Sequence, residues 1–177
     1  MNLYEEARNF ADQAHAGQVR KYTGAPYITH PIVVAGTIAS ITDDIEMIAA
    51  AVLHDVVEDC EVSLPEIENR FGHRVSQFVS EVTDVSTLED GNRAARKALD
   101  RQHLAQASAE GKTIKLADLI DNSPQIIQYD SKFAKVYLKE NAALLKVLTE
   151  GDSRLFNKAN DIVVEYQLRS QHPQFFK

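Results

Sequence analysis

Cysteine is nearly absent: Cys60 stands alone in 177 residues. An internal disulfide is therefore precluded, and a reducing, cytoplasmic setting is expected. No uncharged apolar run approaches the roughly 20 residues of a membrane span, and Met1–Glu6 has no basic region leading into an apolar one, so no signal peptide or membrane association is expected. A formal net charge of -7 leaves no basic footprint for a nucleic-acid polymer. It still allows a small anionic ligand, because a local patch or bound cation overrides the global sign. Alternating apolar and polar runs, Asn-Gly hairpin signals, internal repeats and low-complexity tracts are also missing. There is no Gly-rich phosphate loop ending in Lys-Ser/Thr and no Gly-x-Ser-x-Gly elbow. Cys60 follows an acidic pair, which raises a thiol's pKa and argues against a nucleophile.

What is present is helical patterning in a chain that is 44% hydrophobic and 25% charged. Leu3, Ala7, Phe10, Ala11 and Ala14 recur at helical spacing over 3–16, with Gly17 as a C-cap, and residues 18–27 read as a loop. Thr29-His30-Pro31 opens a second helix, with Thr29 or His30 near its N-cap. A third runs from about Asp44 to Val57. Ser63-Leu64-Pro65-Glu66 starts a fourth, Phe71-Gly72-His73 breaks it, and Val75, Phe78, Val79 and Val82 carry a fifth. After a polar loop at 86–92, residues 93–108 form a surface helix, and Gly111 separates it from the buried segment Thr113–Asn122. Pro124 either kinks that segment or starts a new turn. Amphipathic helices over 132–149 and 152–169 complete the series. The expected fold is an all-α multi-helix bundle, one domain over 1–177, with the tract after residue 170 too short for a further domain.

The helix after Asp44 ends in Leu53-His54-Asp55-Val56-Val57-Glu58-Asp59. On a continuous helix His54 and Glu58, like Asp55 and Asp59, lie four apart and share faces. Crowded carboxylates after an apolar segment repel one another and are costly to desolvate unless a cation balances them. A metal is the economical explanation. His30 and Asp118, one at a helix start and one inside an apolar helix, are the remaining donors, and imidazole–carboxylate ligation suits Mn²⁺, Fe²⁺ or Zn²⁺ with open positions for water. His15, His73, His103 and His172 have no partners at ligand spacing.

Thr29-His30-Pro31, Leu53–Asp59 and Lys115-Leu116-Ala117-Asp118 resemble, in order and spacing, the HD superfamily of metal-dependent phosphohydrolases. More narrowly the chain looks like the hydrolase domain of RelA/SpoT homologues and the stand-alone small alarmone hydrolases. Gly24–Pro31, Phe71-Gly72 and Glu81-Val82-Thr83-Asp84 are similar to that family's other segments, and the similarity spans about residues 5–150. The resemblance implies that His30, His54, Asp55 and Asp118 hold one divalent ion, usually Mn²⁺ (Fe²⁺, Zn²⁺, Co²⁺ and Ni²⁺ being alternatives). Glu58 and Asp59 would activate or position a water, with Glu58 favoured as proton acceptor. The implied reaction removes pyrophosphate from the 3′ position of guanosine tetra- or pentaphosphate. Arg20, Lys21 and Thr23 would contact the nucleotide, Arg96 and Lys97 the distal phosphate, and Asn122 the sugar. Tyr137 would approach the nucleotide or belong to the core, and a homo-oligomer is left open.

The family commonly follows its Lys-Leu-Ala-Asp segment with a basic or aromatic residue, and with an aromatic residue or His before the Asn. Here Leu119 and Asp121 take those places, while Asn122 is retained. Asp121 would weaken binding of a highly phosphorylated ligand unless it points elsewhere. Two alternatives follow: an enzyme of the same chemistry acting on a nucleoside monophosphate or NADPH, and a non-catalytic nucleotide-binding module.

Overall fold

The computed structural model describes residues 2–172 and 174, and among them no β-strand occurs. The helices are α1 (Leu3–Ala14), α2 (Thr29–Ala39), α3 (Ile45–Leu53), α4 (Val56–Asp59), α5 (Leu64–Phe71), α6 (His73–Val82), α7 (Arg93–Ala105), α8 (Ala109–Tyr129), α9 (Ser131–Leu145) and α10 (Ser153–Gln171). Most begin on a short polar side chain that accepts an otherwise orphaned backbone N–H. Asn2 accepts from Glu5, Asp44 from Glu46 and Met47, Ser63 from Glu66, Asn92 from Ala95, and Ser108 from Gly111.

The core is organised on α3. Ala49, Ala50, Ala51, Val52 and Leu53 are all fully buried, and α3 packs against α1, α2, α6 and α8. Three successive alanines leave room for helices to approach on several sides. The long helix α8 in turn packs on α2, α6, α9 and α10. The C-terminal end of α3, the start of α2 and the middle of α8 are thereby brought to one place. Among the described residues no helix is long and apolar enough to cross a membrane.

Several boundaries differ from the sequence reading. The expected helix over 44–57 breaks after Leu53: His54 and Asp55 form a turn before α4, so the shared faces of a continuous helix do not apply. The first helix ends at Ala14 with His15 as C-cap, and Gly17 lies two residues beyond at φ +81°. Helix α2 starts without a side-chain cap; Thr29 is already helical and its hydroxyl donates to the Pro26 carbonyl at 2.8 Å. Gly111 does not separate helices. It sits in the first turn of α8, where a Cβ would collide with the Glu81 side chain, and the Glu81 carboxylate accepts from the Ser108 N–H and hydroxyl at 3.2 and 2.5 Å. Pro124 neither breaks α8 nor restarts it; the helix continues to Tyr129. Within 86–92, Leu88–Asp90 forms a single 3-10 turn.

The loop 18–27 is tightly held. Val19 and Pro26 form an antiparallel bridge, and Arg20 N donates to Ala25 O at 2.8 Å. Tyr27 N donates to Gln18 O at 3.0 Å, and Gly24 takes the left-handed conformation (φ +70°) that closes the loop. This presents Arg20 and Tyr27 to the junction of α2, α3 and α8.

Candidate active site

His30, His54, Asp55 and Asp118 converge at that junction. One ligand atom each from His30, His54 and Asp55 lie within 4.8 Å of one another. Asp118 Oδ1 is 3.3 Å from His30 Nε2 and 3.9 Å from His54 Nε2. Asp55 Oδ1 is 3.1 Å from His54 Nε2, and Oδ2 is 3.5 Å from His30 Nε2. Both imidazoles are 2% exposed, and the Nε2 atom of each is buried without a hydrogen-bond partner. Each Nδ1 is engaged from behind: His54 Nδ1 donates to the Ala51 carbonyl at 2.9 Å, and His30 Nδ1 lies 2.6 Å from Asp121 Oδ2. Two buried nitrogens, tethered at the back and aimed at two carboxylates, are the donor set a divalent cation requires.

The electrostatics agree. Burial opposes a charged His30, yet Asp118, Asp121 and Asp55 outweigh it and push the imidazole up to about 9. Burial likewise opposes ionisation of Asp55 and Asp118, but His54 holds the first and Lys115 the second below the usual carboxylate range. The site thus collects positive charge from protons, and a metal ion would satisfy the same carboxylates. The residues present fit a divalent ion.

Beside this set, Glu58 lines a cleft of about 280 Å³ together with Asp84, Lys97, Lys115, Asn122 and Tyr137. The cleft leaves Glu58 reachable by solvent, but partial burial and then the Asp84 charge push its carboxyl up to about 7. Its Oε2 accepts from Asp84 N at 3.3 Å. Asp59 shares the Tyr27 hydroxyl with Asp55, at 3.1 and 2.7 Å respectively, and burial, then Asp55, raises its pKa. Tyr27 itself is raised, by burial and then by Asp55.

Two participants had no role in the sequence reading. Tyr27 has no role that its place in the segment Gly24–Pro31 predicts. Lys115 opens the Lys-Leu-Ala-Asp segment; its Nζ lies 2.9 Å from Asp118 Oδ2, and against burial its charge is reinforced by Asp118, then Asp84 and Glu58. The signal for Lys115 was its i,i+3 spacing from Asp118.

The expected nucleotide contacts are distributed unevenly. Lys97 lines the cleft and is ion-paired with Asp84 and, at 3.4 Å, with Asp100. Arg96 lines an adjoining recess with Arg93, and its Nε is buried without a partner. Lys21 is exposed, 3.5 Å from Asp130, and Thr23 is exposed with its hydroxyl accepting from Ala25 N. Arg20 is only 7% exposed: Nη2 donates to Asp121 Oδ2 at 3.0 Å and Nη1 to Asn122 Oδ1 at 3.1 Å. Asn122 Nδ2 donates to Asp118 Oδ1 at 2.6 Å. Asp121 is thus turned toward His30 and Arg20, and the Arg20 guanidinium pairs its charge at 3.0 Å. Tyr137 is half-buried on the cleft wall and pushed up to about 12, chiefly by burial.

This helical junction of two histidines and two aspartates matches a family model described as HD domain over residues 7–122, and the chain belongs to that family. Within it, the chain is similar to proteins named for one reaction. It is 44% identical over 121 residues to the human guanosine-3′,5′-bis(diphosphate) 3′-pyrophosphohydrolase MESH1, covering 66% of this chain and 65% of that protein. It is 33% identical over 167 residues to the guanosine-3′,5′-bis(diphosphate) 3′-pyrophosphohydrolase of Aquifex aeolicus, covering 92% of this chain but 23% of that protein. The solved structure of a metazoan ortholog of SpoT that hydrolyzes ppGpp superposes with a TM-score of 0.83 at 30% identity, over 95% of this chain and 97% of that one. The chain thus spans just under two thirds of the human relative and less than a quarter of the Aquifex protein.

Proposed function

We propose that the chain is a divalent-metal-dependent phosphohydrolase that removes pyrophosphate from the 3′ position of guanosine tetra- or pentaphosphate, acting in the cytoplasm with Mn²⁺. The observation that carries this reading is the pair of buried, unpartnered Nε2 atoms of His30 and His54 facing Asp55 and Asp118 beneath an acidic and cationic cleft. The names of the relatives favour the alarmone as substrate.

His30, His54, Asp55 and Asp118 would hold the ion, which when bound lowers the pKa of a water and offsets phosphate charge. Glu58, fixed through Oε2 by the Asp84 amide, takes up the proton of the attacking water on its carboxylate. Its position near neutrality suits that exchange, because a base far below pH 7 would hold a proton too weakly. Tyr27 keeps Asp59 turned toward Asp55, and Asp59 orients the water. Lys115 balances the charge of Asp118 and Glu58, while Lys97, Arg96 and the exposed Lys21 receive phosphate oxygens.

The test is a reaction of purified protein with ppGpp and Mn²⁺. Pyrophosphate should be released, EDTA should stop it, and an inert ppGpp would overturn the substrate. One observation favours the second reading, a different nucleotide such as a nucleoside monophosphate or NADPH: the Arg20 guanidinium, expected at the nucleotide, is committed to Asp121 and Asn122. Orthophosphate release from such nucleotides, with ppGpp untouched, would move the assignment there.

A further inference from the structure

We propose that Arg20, Asp121 and Asn122 are positioning residues of the metal centre, forming a scaffold that holds His30 and Asp118 from behind. The inference rests on the metal-site reading above and extends it to residues outside the ligand set.

The connections close a ring. His30 Nδ1 meets Asp121 Oδ2 at 2.6 Å, and the same oxygen accepts Arg20 Nη2 at 3.0 Å. The other arm of the guanidinium, Nη1, reaches Asn122 Oδ1 at 3.1 Å, and Asn122 Nδ2 reaches Asp118 Oδ1 at 2.6 Å. Asp118 Oδ1 returns to His30 Nε2 at 3.3 Å. One planar fork therefore supports two ligand side chains on two helices, through successive residues of α8. A lysine offers a single point charge and cannot span both acceptors.

Each link has a defined consequence for the ligands. A neutral His30 that donates from Nδ1 to Asp121 has its Nε2 lone pair directed at Asp55 and Asp118, so the tautomer needed for ligation is set by Asp121. The amide of Asn122 occupies one direction at Asp118 Oδ1 and limits rotation of that carboxylate. His54 is held differently, by the Ala51 carbonyl in the last turn of α3, so only His30 depends on the loop 18–27. The burial of Arg20 fits this role: a guanidinium 7% exposed needs its charge and donors compensated within the protein, and Asp121 does so.

The experiment is a Mn²⁺ titration of the EDTA-stripped full-length chain against a fluorescent chelator, without nucleotide, so the result is independent of the substrate. Arg20→Lys and Asp121→Asn, each checked for folding by circular dichroism, should weaken Mn²⁺ binding by about 10–100-fold. The double variant should lose little more than either single one, because both act through one path. Rotation of the His30 ring should be visible as a changed His30 Nδ1–H resonance in both variants. Folded Arg20→Lys and Asp121→Asn proteins that bind Mn²⁺ as tightly as the parent would overturn the proposal. Asp55→Ala is the reference: should it also retain parental affinity, the metal site itself is wrong. If Asp55→Ala loses the ion while Arg20→Lys keeps it, only the scaffold falls.

Discussion

Glu58 and Asp118 line one cleft, and single substitutions test the different tasks proposed for them. Asp118→Ala removes the proposed ligand and the partner of Lys115, so it should abolish Mn²⁺ binding in the chelator titration together with turnover. Glu58→Gln preserves shape and leaves the donor set intact. It should keep parental Mn²⁺ affinity while kcat falls by about 10²–10⁴-fold, the usual worth of a positioned proton acceptor. Parental turnover in Glu58→Gln would transfer the role to Asp59. At this scale the convergence of His30, His54, Asp55 and Asp118 was legible because they sit in compact motifs whose chemistry needs those residue types. Arg20 was legible as a cation but not in its direction, since its partners are 101 and 102 residues away. Asp121 read as an intruder for the same reason: its effect depends on a contact with His30 that no local pattern encodes.

The break between α3 and α4 shows why element boundaries were harder to read. Nothing in Leu53-His54-Asp55-Val56 opposes a helix, yet the chain turns there, at the residues that must face His30 and Asp118. Gly111 misled in the opposite sense, because its missing side chain accommodates Glu81 from α6 instead of ending a helix. A related fit is visible at Gly151, where a Cβ would stand 2.8 Å from Leu116 Cδ1 and 3.3 Å from Leu148 O. Gly151→Ala should therefore cost about 1–3 kcal/mol in a urea unfolding curve. The start of α3 offers a pH handle. Arg74 of α6 donates to Asp44, and this pairing, aided by the Met47 and Glu46 amides against burial, holds the carboxyl below its ordinary range. A depressed carboxyl contributes stability above its unfolded pKa and loses it as the pH falls through the folded value. Stability should therefore fall on acidification below the ordinary carboxylate range, and Asp44→Asn should flatten that acid limb in pH-dependent melts.

Across the molecule, the proposed ligand set draws on α2, the α3–α4 turn and α8, elements distant in sequence that pack on one another. An ion bound there favours the folded chain over the unfolded one. At about 100 times its dissociation constant it adds about 2.7 kcal/mol, which for a chain of this size raises Tm by about 5–10 °C, reversed by EDTA. A melting temperature indifferent to Mn²⁺ would count against a site shared by three elements. The Tyr27 hydroxyl has an optical consequence as well. The chain has six tyrosines and no tryptophan, so its ultraviolet emission comes from tyrosine alone. Carboxylate acceptors quench a phenol, and Tyr27 contacts two of them. A cation that draws Asp55 toward itself loosens one contact and should brighten the protein's intrinsic fluorescence. With Tyr27→Phe that increase should vanish, so the molecule carries its own label-free reporter of metal arrival.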